Sequence, residues 1–303
     1  MTNNIFFSDN NHWRFGWGDG LYNFTEQQKP LWVTFGPCHR SPKTFDLEMT
    51  AAVRRIADNT TKPIYVAMSG GIDSELIAIA MLKEKVEFKP VIVEFNKKLN
   101  NMDIVFAFEF CKRHQLTPEI INLDINAFIE NCIHTPYILA NCSHLLQMHI
   151  MHHIHTMGGI AVIGVGEQRY KRVDGQITIP VPLERIAVTH FMHAEQVEGV
   201  SAFYCYTPEL MLSLLQEAKL LGFDFIGYLS HNIKEAIYRK YWPDLTPRMK
   251  LAGFEYVSLA RSEAERALYN KYKTDYTVNI SNKYVIPIDT LEKQLSEGLP
   301  RAG

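Results

Sequence analysis

Residues 64–76 read IYVAMSGGIDSEL. A continuous apolar run, the mark of a strand buried on both faces, breaks at Ser69, Gly70 and Gly71. Asp73 and Ser74 follow, and the apolar spacing of a helix begins. Two glycines let the chain turn sharply and bring its N–H groups close to a ligand with no side chain in the way. The helix behind them opens with unpaired donors and the positive end of its dipole, which favours an anion. Ser69 and Ser74 add hydroxyls. A carboxylate at Asp73 repels a bare phosphate. It suits a phosphate that shares a divalent cation with it, because Mg2+ binds through one or two carboxylates plus phosphate oxygens. The stretch reads as a phosphate cradle with its own metal anchor. It lacks the lysine that ends the G-x-x-x-x-G-K-[ST] loop. The plainer alternative is an ordinary strand-to-helix turn in which Asp73 caps the helix.

To either side, strand and helix signals alternate. PIYVAM (63–68) and PVIVEF (90–95) are apolar runs, and EIINLDI (119–125) and IAVIGVG (160–166) read as a third and a fourth strand. FDLEMTAAVRRIADN (45–59), SELIAIAMLKEK (74–85), MDIVFAFEFCKRHQL (102–116), residues 141–157 and PELMLSLLQEAKLLG (208–222) carry helical spacing. This order predicts an α/β fold: a doubly wound, parallel, Rossmann-like sheet. FDFIGYL (223–229) is a last strand or a loop. Residues 1–45, with HWRFGWGDGLYNF and LWVTFGP, predict a β-hairpin extension. The main domain is expected over 46–229. A helical, charged C-terminal region follows over 230–303, ending in a short strand and a loose tail.

The chain has 303 residues, and 31 Lys and Arg against 33 Asp and Glu give a net charge of −2. No global basic field draws it to nucleic acid or anionic lipid, although a local basic stripe stays open. Five cysteines with no C-x-x-C suggest reduced thiols. The N-terminus lacks the pattern of a signal peptide, and no apolar run approaches the ~20 residues of a membrane helix. A cytoplasmic protein with no membrane contact is expected. A homo-oligomer remains open.

SGGIDS (69–74) resembles the PP-loop of the ATP pyrophosphatase superfamily, which includes asparagine, NAD and GMP synthetases and several tRNA-modifying enzymes. The resemblance implies that ATP is cleaved between its α and β phosphates, that a substrate is adenylated and that pyrophosphate leaves. Residues 141–170 resemble the asparagine synthetase segment in which a helix leads to a strand ending in Gly-x-Gly and acids. Gly164, Gly166 and Glu167 occupy that place, and Gln168 and Arg169 stand where the family has Asp-Glu. Either Glu167 replaces the missing metal ligand or metal binding is weakened. KEAIYRKYWPDLTPRMKLAGFE (234–255) resembles a third family stretch, through Lys234, Arg239, Pro243, Arg248, Lys250, Gly253 and Phe254. One residue is missing before Arg248 and one is extra after Lys250. By this match Lys250 is the catalytic lysine, a fixed cation over the reaction centre, and Arg248 assists it. A solvent-exposed helical lysine is the plain alternative.

The match covers roughly residues 46–255. It implies that N–H groups from Ser69 to Ser74, with Gly70 and Gly71, hold the phosphates of ATP. Asp73 and Glu167 hold Mg2+, and adenine lies near Val93 and Asn96, with Gly164 and Gly166 beside the nucleotide. A small-molecule acid is adenylated, and an amine or ammonia displaces AMP. Thr2 stands where glutamine-dependent relatives have a catalytic cysteine, so ammonia is expected free or from a separate protein. Competing readings are a nucleotide-binding module without catalysis, a NAD-synthetase-like enzyme and a tRNA- or nucleobase-modifying enzyme. His149, His152 and His153 form a metal-like edge on a helix, for which chance spacing is the simpler account.

Overall fold

β1 (Trp13–Trp17) and β2 (Leu31–Phe35) pair antiparallel, with Phe15 opposite Val33. The structure, a computed structural model, describes residues 12–19, 21, 29, 31–137, 139–180, 184–222, 230–245, 248, 254–275 and 285–299. Trp13, Phe15 and Trp17 are buried in the core. Helix α1 (Phe45–Asp58) follows, with Phe45, Met49, Ala52, Val53 and Ile56 buried on one face and Arg54 exposed. That three-to-four spacing is what turns a helix toward a core.

The chain then alternates. β3 (Ile64–Ala67), α2 (Ile72–Lys83), β4 (Lys89–Phe95), α3 (Asn101–Arg113), β5 (Glu119–Leu123), α4 (Ile125–Cys132), α5 (Cys142–Thr156) and β6 (Ile160–Ile163) succeed one another. A hairpin of β7 (Lys171–Val173) and β8 (Gln176–Pro180) leads to α6 (Glu184–Ala194), then β9 (Gly199–Val200) and α7 (Pro208–Leu221). The described C-terminal elements are α8 (Ser230–Tyr241), α9 (Ser258–Asp275), β10 (Val285–Pro287) and α10 (Ile288–Ser296).

Five strands form one parallel sheet in the order β5-β4-β3-β6-β9. Every residue of β3 and β6 is buried, as a sheet covered on both faces requires. Successive strands run outward from β3 through β4 to β5, and the chain then crosses to β6 on the other side. The reversal between β3 and β6 is a topological switch point, where the loops at the carboxyl ends diverge and leave a crevice. The turn after β3 and the turn after β6 both open there.

Four of the five strands are those predicted. The fifth is the two-residue β9. Residues 223–229, read as a last strand or a loop, lie outside the described residues. The tail is more ordered than expected. β10 pairs antiparallel with β8, Ile286 opposite Ile179, and α10 buries Ile288, Leu291 and Leu295. α10 also fastens the N-terminal ribbon: Phe35 N–H donates to Gln294 Oε1 at 3.2 Å, and Cys38 N–H to the Leu295 carbonyl at 2.8 Å. All five cysteines are free and buried. No described helix is long and apolar enough to cross a membrane.

The turn after β3 packs directly on the start of α3. Gly70 has φ +80°, and a Cβ there would lie 1.9 Å from the Asp103 carbonyl oxygen. That neighbour is backbone and cannot give way. Gly70→Ala is therefore expected to cost about 2–4 kcal/mol, combining a left-handed backbone with overpacking. Urea denaturation of the variant beside the wild type measures it, and a loss below about 0.5 kcal/mol would show that the turn is not so confined.

Candidate functional site

The turn closes on itself through its serines. Ser69 N–H donates to Ser74 Oγ at 3.3 Å, Ser74 Oγ donates to the Gly71 carbonyl at 2.9 Å, and Gly71 N–H donates to Ser69 Oγ at 3.4 Å. Two of the N–H groups expected to hold phosphate, those of Ser69 and Gly71, thus make bonds inside the turn. Gly71 is the N-cap of α2 and supplies no capping side chain. By contrast Asp124, Asn141 and Thr207 cap α4, α5 and α7 with their side chains. The first-turn donors of α2 are left to an acceptor from outside the helix. Gly164, at the end of β6, lets the neighbouring turn approach closely. A Cβ there would lie 3.1 Å from both N and Cα of Ser74.

Asp73 does not cap α2. Its Oδ2 is 2.9 Å from Lys234 Nζ, and its Oδ1 accepts from the Tyr238 hydroxyl at 2.9 Å. The Tyr204 hydroxyl donates to the Asp73 carbonyl at 2.9 Å. Lys234 and Tyr238 lie four apart on α8 and so share a face. Both tyrosines belong to a buried aromatic column. Phe45 stacks on Tyr238 with centroids 5.6 Å apart and planes 1° apart, and Tyr204 stacks on Tyr238 at 5.8 Å. Burial, reinforced by the Asp73 charge, holds both phenols well above their ordinary pKa, so they stay donors.

Lys234 Nζ also lies 3.5 Å from Glu167 Oε1, and Arg169 approaches the same oxygen at 3.6 Å. Burial pulls the Lys234 pKa down, but Asp73 and Glu167 outweigh it, and the net shift is upward. Lys234 is therefore an ammonium at neutral pH. Gln168, where the resemblance leads one to expect an acid, turns into the core. Its Nε2 donates to the Met211 carbonyl at 2.7 Å, and its Oε1 accepts from the Tyr170 hydroxyl at 2.7 Å. A carboxylate could not make the first of these bonds.

A cavity of about 560 Å3 opens over this cluster. Gly71, Asp73 and Ser74 line it on one side, and Gly164 and Glu167 on the next. Val93 lies on the wall formed by β4, while Asn96 accepts from Ile125 N–H at 3.3 Å and serves the start of α4. Gly70 and Gly166 shape the two turns from outside the lining, and the Gly166 carbonyl accepts from Cys205 Sγ at 2.9 Å. Opposite the phosphate turn, α5 begins with a reciprocal cap: Asn141 Oδ1 accepts from His144 N–H at 3.0 Å, and His144 Nδ1 accepts from Asn141 N–H at 3.2 Å. Phe254 meets Phe95 edge-on at 5.6 Å and carries the Arg261 guanidinium on its face at 4.7 Å.

Arg248 is not among the cavity-lining residues. Its Nε donates to the Gly70 carbonyl at 2.7 Å, its guanidinium pairs with buried Glu75, and it lies 4.8 Å from the Phe106 ring centroid. It clamps the turn after β3 from behind. Lys250 lies outside the described residues. Lys234, Tyr204 and Tyr238 are site residues to which the sequence reading assigned no role. Lys234 was within the matched segment, and its spacing from Tyr238 is visible there, whereas nothing local marks Tyr204.

Asp73 and Glu167, the expected Mg2+ ligands, do converge on one cationic centre, and that centre is the Lys234 ammonium. Mg2+ takes one or two carboxylates, with phosphate oxygens and water completing its shell. Here both Asp73 oxygens are engaged, and Glu167 Oε1 faces two organic cations. As placed, the pair does not fit a protein-held metal. His149, His152 and His153 form no metal site either, since the described residues contain no group of three or more His, Cys, Asp or Glu able to hold an ion.

No protein-family model matches this chain, and no curated protein does. Among solved structures, an NH3-dependent NAD synthetase from Campylobacter jejuni, in complex with the nitrate ion, is similar at 12% identity. The likeness covers 68% of this chain and 97% of that one, with a TM-score of 0.34.

Burial lowers the His144 pKa from 6.5 to about 4. The unfolded chain takes up this proton first, so the contribution to stability is complete above pH 6.5 and is lost as pH falls toward 4. The loss should reach roughly 3 kcal/mol. Urea denaturation across this range, wild type against His144→Gln, should show the gap between them narrowing as pH falls. A gap independent of pH would contradict the assignment.

Proposed function

We propose that the cavity binds ATP, with the triphosphate on the turn from Ser69 to Ser74 and the adenine toward Val93, and that the bound nucleotide activates a small-molecule acid. A carboxylate oxygen of the acid attacks the α phosphorus as the bond to the bridging oxygen breaks, and pyrophosphate leaves with that electron pair. An amine or ammonia, free or supplied by another protein, then displaces AMP. The observation that carries this reading is the uncapped start of α2 at the switch point, with the Asp73 carboxylate drawn away to Lys234 and Tyr238. Helix donors then face the crevice with no side chain closing them off.

In this reading Lys234 steadies the charge on the departing pyrophosphate, and Arg169 reinforces it from the rim. Lys250 keeps the role that the sequence match suggests, over the α phosphate. Arg248 acts through the turn, by holding the Gly70 carbonyl. Fixing the acid beside the nucleotide supplies several kcal/mol of the barrier reduction, and the Asn141–His144 end of α5 and the Phe254–Arg261 pair are the surfaces available to do so. His144, depressed to about 4, is a neutral partner there at pH 7. The Mg2+ expected from the sequence is not part of this scheme, because Asp73 and Glu167 already share the Lys234 ammonium.

A second reading is nucleotide binding without turnover. It is favoured by Arg169 standing beside Glu167 where the resemblance calls for acids.

Incubation with labelled ATP and a panel of acids and amines separates the two. AMP and pyrophosphate are expected, and Asp73→Ala should slow their release by about 100-fold or more. ADP and phosphate would end the adenylation scheme. Tight binding with no product across the panel would favour the binding module.

A further inference from the structure

We propose that Lys234 takes the place of a divalent cation at this site, so that nucleotide phosphates meet an ammonium rather than a metal held by Asp73 and Glu167. The inference rests on the nucleotide reading above and goes further, because it fixes the ionic form in which the ligand binds.

The position of the nitrogen is the first argument. Lys234 Nζ lies 2.9 Å from Asp73 Oδ2 and 3.5 Å from Glu167 Oε1, at the point where an ion bridging the two carboxylates would sit. The other contacts of these two carboxylates are the second. Tyr238 occupies Asp73 Oδ1, and Arg169 approaches Glu167 Oε1 at 3.6 Å.

The charge balance is the third. Asp73 and Glu167 carry two negative charges, and Lys234 and Arg169 carry two positive ones. No excess negative charge is left to draw a metal, and a doubly charged ion at the bridging point would be pressed against an ammonium. The residue that tips the balance is Arg169.

Rigidity is the fourth. The Lys234 side chain is only 8% exposed. It comes from the helix that also carries Tyr238, one turn on, which is fixed in the Phe45–Tyr238–Tyr204 column. This is not an exposed lysine that swings aside when a metal arrives. An ammonium also carries three donors, so the group that holds the two carboxylates has a hydrogen left for a phosphate oxygen.

The test uses the full chain. ATP binding is titrated by calorimetry in excess EDTA and in excess Mg2+, and Mn2+ uptake by the nucleotide-free protein is followed by electron paramagnetic resonance. The wild type should bind ATP in EDTA within about threefold of its affinity in Mg2+, and should leave the free Mn2+ signal unchanged. Lys234→Met should lose about tenfold or more in EDTA, recover much of it in Mg2+, and take up Mn2+. Wild-type affinity about tenfold weaker in EDTA, or Mn2+ uptake by the wild type, would overturn the inference while leaving the nucleotide reading intact. Absence of ATP binding in either buffer would overturn the nucleotide reading and this inference with it. If Lys234→Met does not fold, the wild-type comparison still decides. Arg169→Met, at a side chain 66% exposed, then supplies a folded variant expected to lower the EDTA affinity without loss of stability.

Discussion

One half-buried carboxylate organises the crevice. Asp73 stands in the first turn of α2, where a short acidic side chain would ordinarily fold back on the helix donors. It is instead bound by Lys234 and Tyr238, and its carbonyl by Tyr204. The lysine bond is charge-assisted, and the phenol donates to the second carboxylate oxygen. The three partners come from α8 and from the turn after β9, and Phe45 of α1 stacks against them. Two distant parts of the chain thus bind this residue, and α1 packs on their tyrosines. With the carboxylate turned away, the start of α2 faces the crevice unobstructed.

The sheet was legible because strands buried on both faces must be written as unbroken apolar runs. IYVA, PVIVEF and IAVI are such runs and each became a strand, while EIINL became an edge strand with only Ile121 and Leu123 buried. The fifth, Gly199–Val200, is too short to carry a pattern. The short hairpin of β7 and β8 carries little apolar signal, with Lys171 to Val173 exposed. The turn after β3 was legible because it is local: two glycines, an acid and a hydroxyl within six positions. The partners of that acid were not. Tyr238 has the spacing of an ordinary core aromatic, and Tyr204 sits in a single turn of 3-10 helix. Only the folded chain brings them to Asp73.

Arg248 and Gln168 show the same limit from another side. Both stand in segments where chemistry was expected. Both are used for construction: Arg248 behind the turn against Glu75, and Gln168 between Tyr170 and the carbonyl of Met211. A match of residue type records that a position is polar and occupied. It does not record which way the side chain turns, because packing against distant elements decides that.

The side chains that fix the turn after β3 from outside lie far along the chain from it. Tyr204 bonds across 131 positions, Lys234 across 161, Tyr238 across 165 and Arg248 across 178. Contacts of such separation form late, after the loop entropy between them has been overcome. On the ribosome, β3 and α2 are released long before α8. Until α8 emerges, Asp73 has no lysine and must remain in water. The contacts that fix the turn are therefore completed only once α8 is released, with α9 and α10 still to follow.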